Sequence, residues 1–217
     1  MTRRGEMLED AWYMDYAAGT MKSEGEDVLM ASHVELSEGA RERVNELENI
    51  GAAILMMAPA NEALPFSAQD LLAMADEEAV VPLSTEPPQE DFVPEALAQF
   101  LQRRGKSVRW EFLGPGLKKA MLWTGDEGEK LWLLKAQPGV AIPHHGHNGS
   151  ELTLVLKGSF WDGDQQFCPG DVEYACEEHE HDIRIDEQGE CICLALTRGK
   201  LRYDNPILKL FQVFTGL

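Results

Sequence analysis

From Val108 onward the hydrophobic pattern changes period, and that change limits the possible folds more than any other feature of the chain. The segments WEFLG, KAMLW, KLWLLKA, ELTLVLKGSFWD, DVEYAC, DIRID and CICLAL are short apolar runs separated by glycine, aspartate or proline. In a strand successive side chains point to opposite faces, so each run has one face to bury. Many such runs, with turn signals about every 8–12 residues, close into a barrel or pack as a sandwich. The first third has the other period. Leu8, Trp12 and Tyr16 recur at four-residue spacing, and Gly19 is placed to end that helix. Ser23 and Glu26 form an S-x-x-E capping box before a helix running through Val28 and Leu29 towards His33. Ser37 is placed to cap a third helix, with Val44, Leu47, Ile50, Ile54 and Met57 on one face. The expected fold class is α+β and multidomain, a small N-terminal helical domain followed by an all-β domain, closed or sandwich-like.

Residues 58–92 separate the two patterns. Pro59, Pro65, Pro82, Pro87 and Pro88 punctuate this stretch, and DEEAVVPLSTEPPQED is acidic. Short helices are expected at Ser67–Ala75 and Pro94–Arg103. The division is therefore 1–65 as the helical domain, 66–104 as a linker with short helices, and 105–217 as the all-β domain. At 217 residues the chain fits one large domain or two small ones, and either arrangement can bury a core.

Charge narrows the function. The chain has 38 acidic against 19 basic residues, a net charge of −19. Such a surface repels phosphate backbones, which excludes direct nucleic-acid binding and favours a basic partner. The opening MTRRGEMLEDAWYMDY lacks an apolar leader, and the longest apolar run, Ala52–Ala60, is too short to span a bilayer. A cytoplasmic protein without a membrane partner is expected.

The stretch PHHGHNGSELTLVLKGSF, residues 143–160, contains three of the six histidines. His145, His147 and Glu151 share parity, so an extended chain presents them on one face, with Gly146 and Gly149 allowing bends between them. Leu152, Leu154 and Leu156 take the opposite face, and Thr153 and Val155 continue the first. Imidazole and carboxylate donors suit a borderline divalent metal. The acidic loop EEHEHD offers His181 as a fourth ligand, with His179 of the same parity as a spare that reads as a solvated loop residue. His144 has the opposite parity. Zinc is the first expectation, and iron, manganese or nickel accept the same donors. Cys191 and Cys193 face one side of a strand, either as two small core residues or as a thiol pair near the metal. An in-strand C-x-C is too short for a relaxed disulfide.

At Pro143–Glu151 the pattern P-x-H-x-H-x-G-x-E, followed by VLKGSFWD, resembles the first cupin motif. PGD at 169–171, with a histidine ten residues after Asp171, resembles the second. The resemblance implies a double-stranded β-helix barrel whose metal is held by His145, His147, Glu151 and His181. HGHNGSELTLVLKGSF, GDVEYA, EHEH and CICLAL, with YAAGT and ASHVELSEGARERVNELENIGAAIL upstream, resemble ChrR-type anti-sigma factors over nearly the whole chain. In that family a helical domain binds an extracytoplasmic-function (ECF) sigma factor and the cupin senses stress. The implied function is a transcriptional regulator that sequesters such a sigma factor, with a metal-binding cupin sensing oxidative stress. Its metal would be structural or sensory rather than catalytic. The family's N-terminal zinc motif is H-x3-C-x2-C with an earlier histidine. Here those positions read His33, Ser37 and Ala40, and no histidine precedes His33. A hydroxyl and a methyl do not replace thiolates, so no N-terminal zinc is expected. The alternative is a metal-dependent cupin enzyme, a dioxygenase or isomerase acting on a small molecule. Self-association stays open under both readings.

Overall fold

The computed structural model describes residues 3–4, 8–57, 90–177 and 180–202. Three helices open the fold, α1 (Asp10–Ala17), α2 (Glu24–Leu36) and α3 (Glu38–Met57), and α4 (Glu95–Arg103) follows. Their boundaries follow from the capping chemistry. Gly19, at φ 67°, ends α1 and donates its N–H to the Tyr16 carbonyl. Ser23 Oγ accepts the Glu26 N–H at 3.2 Å, and Glu26 Oε2 accepts the Lys22 N–H at 2.7 Å. Ser37 Oγ accepts the Ala40 N–H at 3.4 Å. A fourth cap comes from another helix: the Glu35 carboxylate of α2 accepts the Glu95 and Ala96 N–H groups at the start of α4. The helix expected at Ser67–Ala75 lies outside the described residues.

The barrel strands are β1 (Arg3–Arg4), β2 (Glu111–Gly114), β3 (Leu117–Thr124), β4 (Lys130–Ala136), β5 (Ala141–Lys157), β6 (Phe160–Asp162), β7 (Gln165–Phe167), β8 (Val172–Ala175), β9 (His181–Ile185) and β10 (Cys191–Arg202). They run in the order β1-β7-β6-β9-β5-β10-β4-β3-β2, with β8 also on β5. Among these pairs β1–β7 is parallel and the others are antiparallel. The 17-residue β5 joins the two halves, since its start pairs with β9 and its end with β8 and β10. The sequence pattern places a strand from Glu151, yet the strand begins at Ala141. Its register shifts between Ile142 and His145, and this bulge carries pairing through the Pro- and Gly-containing stretch ahead of Glu151. The histidine cluster therefore lies within a strand.

Both faces of the β5–β10–β4 region are buried, and this explains why LWLL, LTLVL and CICLAL are nearly continuous apolar runs. Val155, Cys191 and Cys193 pack with Phe160, Phe167, Ile183 and Ile185. On the opposite face Leu131, Leu133, Leu152, Leu154, Leu194 and Leu196 share one core with Tyr13, Val28, Leu29 and Met30 of the helices. The helices are thus a lid on the outer face of the barrel. At Gly25 an added Cβ would meet Leu196 Cδ1 at 2.7 Å and Trp123 Cζ3 at 2.8 Å, so α2 approaches closely enough to need glycine there.

Two polar clasps tie α2 to the barrel. His33 Nδ1–H donates to the Gly170 carbonyl at 2.8 Å, and Tyr13 OH donates to His33 Nε2 at 3.0 Å. Burial pushes the His33 imidazole below its ordinary value, against the opposing Gly170 hydrogen bond and the charge of Asp171. The second clasp is Arg198 on β10, with Nη1 2.6 Å from Glu26 Oε1 and Nε 3.0 Å from Glu129 Oε2. Burial pulls the guanidinium pKa down, but the bonds and charges of Glu26 and Glu129 outweigh it and leave it raised.

The apolar stripe of α3 divides. Val44 is buried and Leu47 packs on the core, whereas Ile50, Ile54 and Met57 are 54%, 64% and 85% exposed. Twenty residues make α3 longer than the eight-residue α1 that packs against it, so its last turns pass beyond the described helices.

Candidate metal centre

The chemistry concentrates on β5, where it leaves one half of the barrel and enters the other. His145 and Glu151 are both buried, at 4% and 7% exposure. His145 lies opposite His181 across the β5–β9 pair, and His147 lies opposite Leu201 across β5–β10. The backbone register thus brings all four expected ligand positions to β5 and its neighbour β9. The side chains of His147 and His181 lie outside the described residues. Among the described residues, no cluster of three or more histidine, cysteine, aspartate or glutamate side chains is placed to hold an ion. His144 stands apart, half exposed, between Glu180 at 3.5 Å and Asp182 at 3.4 Å. His179 lies outside the described residues.

Glu151 is held by a relay. Trp132 Nε1 donates to Thr197 Oγ1 at 2.8 Å, and Thr197 Oγ1 donates to Glu151 Oε1 at 2.8 Å. Thr197 sits directly opposite Glu151 in the β10–β5 register, and Trp132 lies on the neighbouring β4. The hydroxyl fixes the carboxylate plane, the kind of support that orients a metal ligand. A buried imidazole, a buried and oriented carboxylate, and two further histidine positions, His147 on the same strand and His181 on the adjoining β9, form a donor set that fits a divalent metal.

The N-terminal positions do not fit one. His33 already uses both ring nitrogens, on Gly170 and Tyr13. Ser37 Oγ caps α3, and Ala40 is buried at 1% exposure. A phenol, a carbonyl and a helix cap thus surround His33 in place of the thiolates that would hold zinc.

Cys191 and Cys193 are buried core residues, packed with Val155, Phe160 and Phe167, which bears out the first of the two sequence readings. Their sulfurs are 3.6 Å apart as free thiols. The hydrogen bond to Cys191, then burial, then the negative charge of Cys191, Glu173 and Glu151 hold the Cys193 thiol well above its ordinary value. It is protonated at neutral pH and a poor nucleophile in this state. Two interior groups escaped the sequence reading: Glu173 and Lys119, at 4% and 8% exposure. A charge between apolar neighbours in a short strand, as in DVEYA, is the signal that marks Glu173.

A barrel with histidines and a glutamate on its long central strand, capped by helices on its outer face, defines a cupin joined to a helical module. Residues 101–200 match the family described as the ChrR Cupin-like domain. Over 209 residues the chain is 35% identical to the anti-sigma-E factor ChrR of Cereibacter sphaeroides, covering 95% of this chain and 96% of that protein. The crystal structure of Rhodobacter sphaeroides SigE in complex with the anti-sigma ChrR matches with a TM-score of 0.70 and 34% identity, covering 90% of this chain and 99% of that one. The chain belongs to the ChrR family of cupin anti-sigma factors.

Proposed function

We propose that this protein is a cytoplasmic anti-sigma factor that sequesters an ECF sigma factor. The helical half, residues 1–65, binds the partner, and the barrel, residues 105–217, senses oxidative stress. The observation that carries this reading is the end of α3. Ile50, Ile54, Leu55, Met56 and Met57 are 54–88% exposed on a helix that also presents exposed Glu42, Glu46 and Glu48. An apolar stripe with an acidic rim suits a basic, apolar helical surface, the kind a DNA-binding sigma factor carries. The relative of known structure was crystallised with its SigE partner. Among the described residues no helix is long and apolar enough to cross a membrane.

In this reading His145, His147, Glu151 and His181 hold one divalent ion, zinc first among the candidates, and the helical half holds none. A bound ion would cross-link β5 to β9 and neutralise the Glu151 carboxylate. The chain's own groups do the rest: Thr197 and Trp132 orient Glu151.

Co-expression with the ECF sigma factor encoded nearest to this gene, followed by size-exclusion chromatography, tests the partner. Co-elution as a stoichiometric complex is expected, and separate elution from every sigma factor of the host refutes it. Elemental analysis tests the metal: about one ion per chain is expected, falling strongly in His147→Ala. The enzyme reading draws on Glu173 and Lys119, a buried carboxylate and a buried cation inside the barrel. Turnover of a small molecule that is lost in Glu173→Gln while the ion is retained favours it.

A further inference from the structure

Two adjacent residues of β10 carry polar interactions on opposite faces of the strand. Thr197 points into the barrel, where its hydroxyl links Trp132 to Glu151. Arg198 points outward to the helices, with Nη1 2.6 Å from Glu26 Oε1, Nε 3.0 Å from Glu129 Oε2 and Nη2 3.5 Å from Ser23 Oγ. Two of these partners, Glu26 and Ser23, belong to the N-terminal cap of α2, and the third, Glu129, lies just before β4. Ser23 is the capping residue, and Glu26, only 2% exposed, also accepts the Lys22 N–H through Oε2. Arg198 therefore grips the groups that terminate the helix.

The strand pairing concentrates any movement at this point. Thr197 pairs with Glu151, Arg198 with Ser150 and Gly199 with Gly149. At Gly199, φ 83°, a Cβ would lie 1.8 Å from the Asn148 carbonyl oxygen; at Gly149, φ 142°, it would lie 2.3 Å from the Arg198 carbonyl oxygen. The two backbones meet so closely that only glycine fits on either side. This pinch separates the Thr197–Arg198 segment from the part of β10 that runs beside His147.

We propose that Arg198 is a coupling residue that reports the state of the Glu151 carboxylate to the N-terminal cap of α2. The inference rests on the metal reading for its input and on the anti-sigma reading for its use, but its test needs no partner. A carboxylate fixed by a metal fixes Thr197 across the strand pair. Thr197 and Arg198 share a peptide unit, so the position of one side chain sets the other on the opposite face. A guanidinium gripping two carboxylates and a hydroxyl depends on direction as well as charge, and a small rotation of the strand weakens all three contacts together. The α2 cap then loosens, and with it the first turn of a helix whose neighbour, α3, presents the exposed apolar end. A clasp that is only structural would hold α2 equally well whether or not the barrel holds an ion. That difference is measurable.

The experiment is hydrogen–deuterium exchange on the full-length protein without partner, loaded with zinc or stripped with EDTA, with zinc content measured on each sample. In the wild type, stripping is expected to speed exchange in peptides covering Lys22–Val28 by about tenfold, as a local opening of the first turn. Arg198→Lys keeps the charge but loses the forked geometry. It is expected to retain about one zinc per chain, with fast exchange in that segment in both states and a loaded-to-stripped difference below about twofold. Glu26→Gln, which breaks the clasp from the helix side, is expected to behave the same way and covers the case of a misfolded Arg198 variant. Thr197→Val breaks the link on the barrel side. It is expected to weaken zinc binding about 10–100-fold and to uncouple α2 even at saturating zinc. The proposal is overturned if α2 exchange in the wild type is the same with and without zinc. It is also overturned if both clasp variants keep the full response, or if the wild-type chain takes up no zinc. None of these outcomes depends on whether a sigma factor binds, so a failed co-elution leaves the result readable.

Discussion

Replacing His33 with leucine tests whether a hydrogen-bonded imidazole holds the helices on the barrel. Leucine nearly matches the imidazole in volume, so the main loss is polar. Tyr13 OH, on a residue with 0% exposure, loses its acceptor and keeps only the Leu8 backbone hydrogen bond, while the buried Gly170 carbonyl loses its donor. Each buried group left unsatisfied costs about 1–3 kcal/mol, so the pair predicts a loss of about 4 kcal/mol, or about 10 °C in Tm for a chain of this size. Tyr13→Phe removes only one bond and should cost about 1–3 kcal/mol. The double variant should show a coupling of about 1 kcal/mol or more, since the two groups share that bond. Urea unfolding of the full chain from about pH 8 to about pH 5 adds a second readout. The folded-state His33 pKa is lowered from 6.5 by burial, so below that value the unfolded chain binds a proton that the folded chain excludes. Stability should be fully present above pH 6.5 and fall as the pH drops from 6.5 towards the depressed folded value. The slope contributed by this residue is at most about 1.4 kcal/mol per pH unit. His33→Leu should lack that component. A cost below about 0.5 kcal/mol, or identical pH profiles for variant and wild type, refutes the reasoning.

Leu196→Ala removes a side chain that is 2% exposed between β10 and α2 and should cost about 2–5 kcal/mol. Helical and barrel signals should be lost in one thermal transition, and two separated transitions would contradict the shared core. Ile54→Asp with Met57→Asp, at positions 64% and 85% exposed, should leave Tm within about 2 °C. In a pull-down titration the same pair should weaken sigma-factor binding about 100-fold or more. Gly199→Ala places a Cβ against the Asn148 carbonyl at a φ of 83° and should cost about 2 kcal/mol or more in chemical unfolding.

Much of the fold is legible in local patterns. The caps at Ser23 and Ser37, the glycine after α1 and the strand Lys130–Ala136 all appear where residue chemistry places them. Long-range packing is not legible in the same way. Continuous apolar runs such as CICLAL show that a strand is buried on both faces, but not that α2 supplies the second cover. The early start of β5 is hidden because Pro143, Gly146 and Gly149 carry turn chemistry, while the bulge that tolerates them is set by β9. Of the candidate site, spacing and resemblance name four expected ligand positions, and the backbone register sets them on β5 and β9. The support for Glu151 is not legible, because Thr197 lies 46 residues from Glu151 and 65 residues from Trp132. His33 reads as the end of a helix, and its second partner, Gly170, is 137 residues away.

The same packing accounts for a helical half that does without the family's zinc motif. Below about 40 residues a unit usually needs a metal, a disulfide or a partner to hold a core, and a unit of about 60 residues is marginal. Here α1 has eight residues and α3 leaves its last turns exposed. The helices instead complete their core against the barrel. Val28, Leu29 and Met30 share it with Leu152, Leu154 and Leu194, Trp12 lies 6.0 Å from Tyr174, and His33 and Glu26 are bonded to barrel groups. Stability that a metal would supply locally is supplied by the domain the helices cover, which makes the two halves one thermodynamic unit. A chain shortened to residues 1–65 should therefore lose most of its helical circular dichroism and melt without a cooperative transition, and added zinc should restore neither. Adding the separate barrel segment, 105–217, should recover part of the helical signal if the shared core is the source of order. A shortened chain that melts cooperatively with near-full helicity would show that the helices hold themselves, and that the clasps at His33 and Arg198 only join two finished domains.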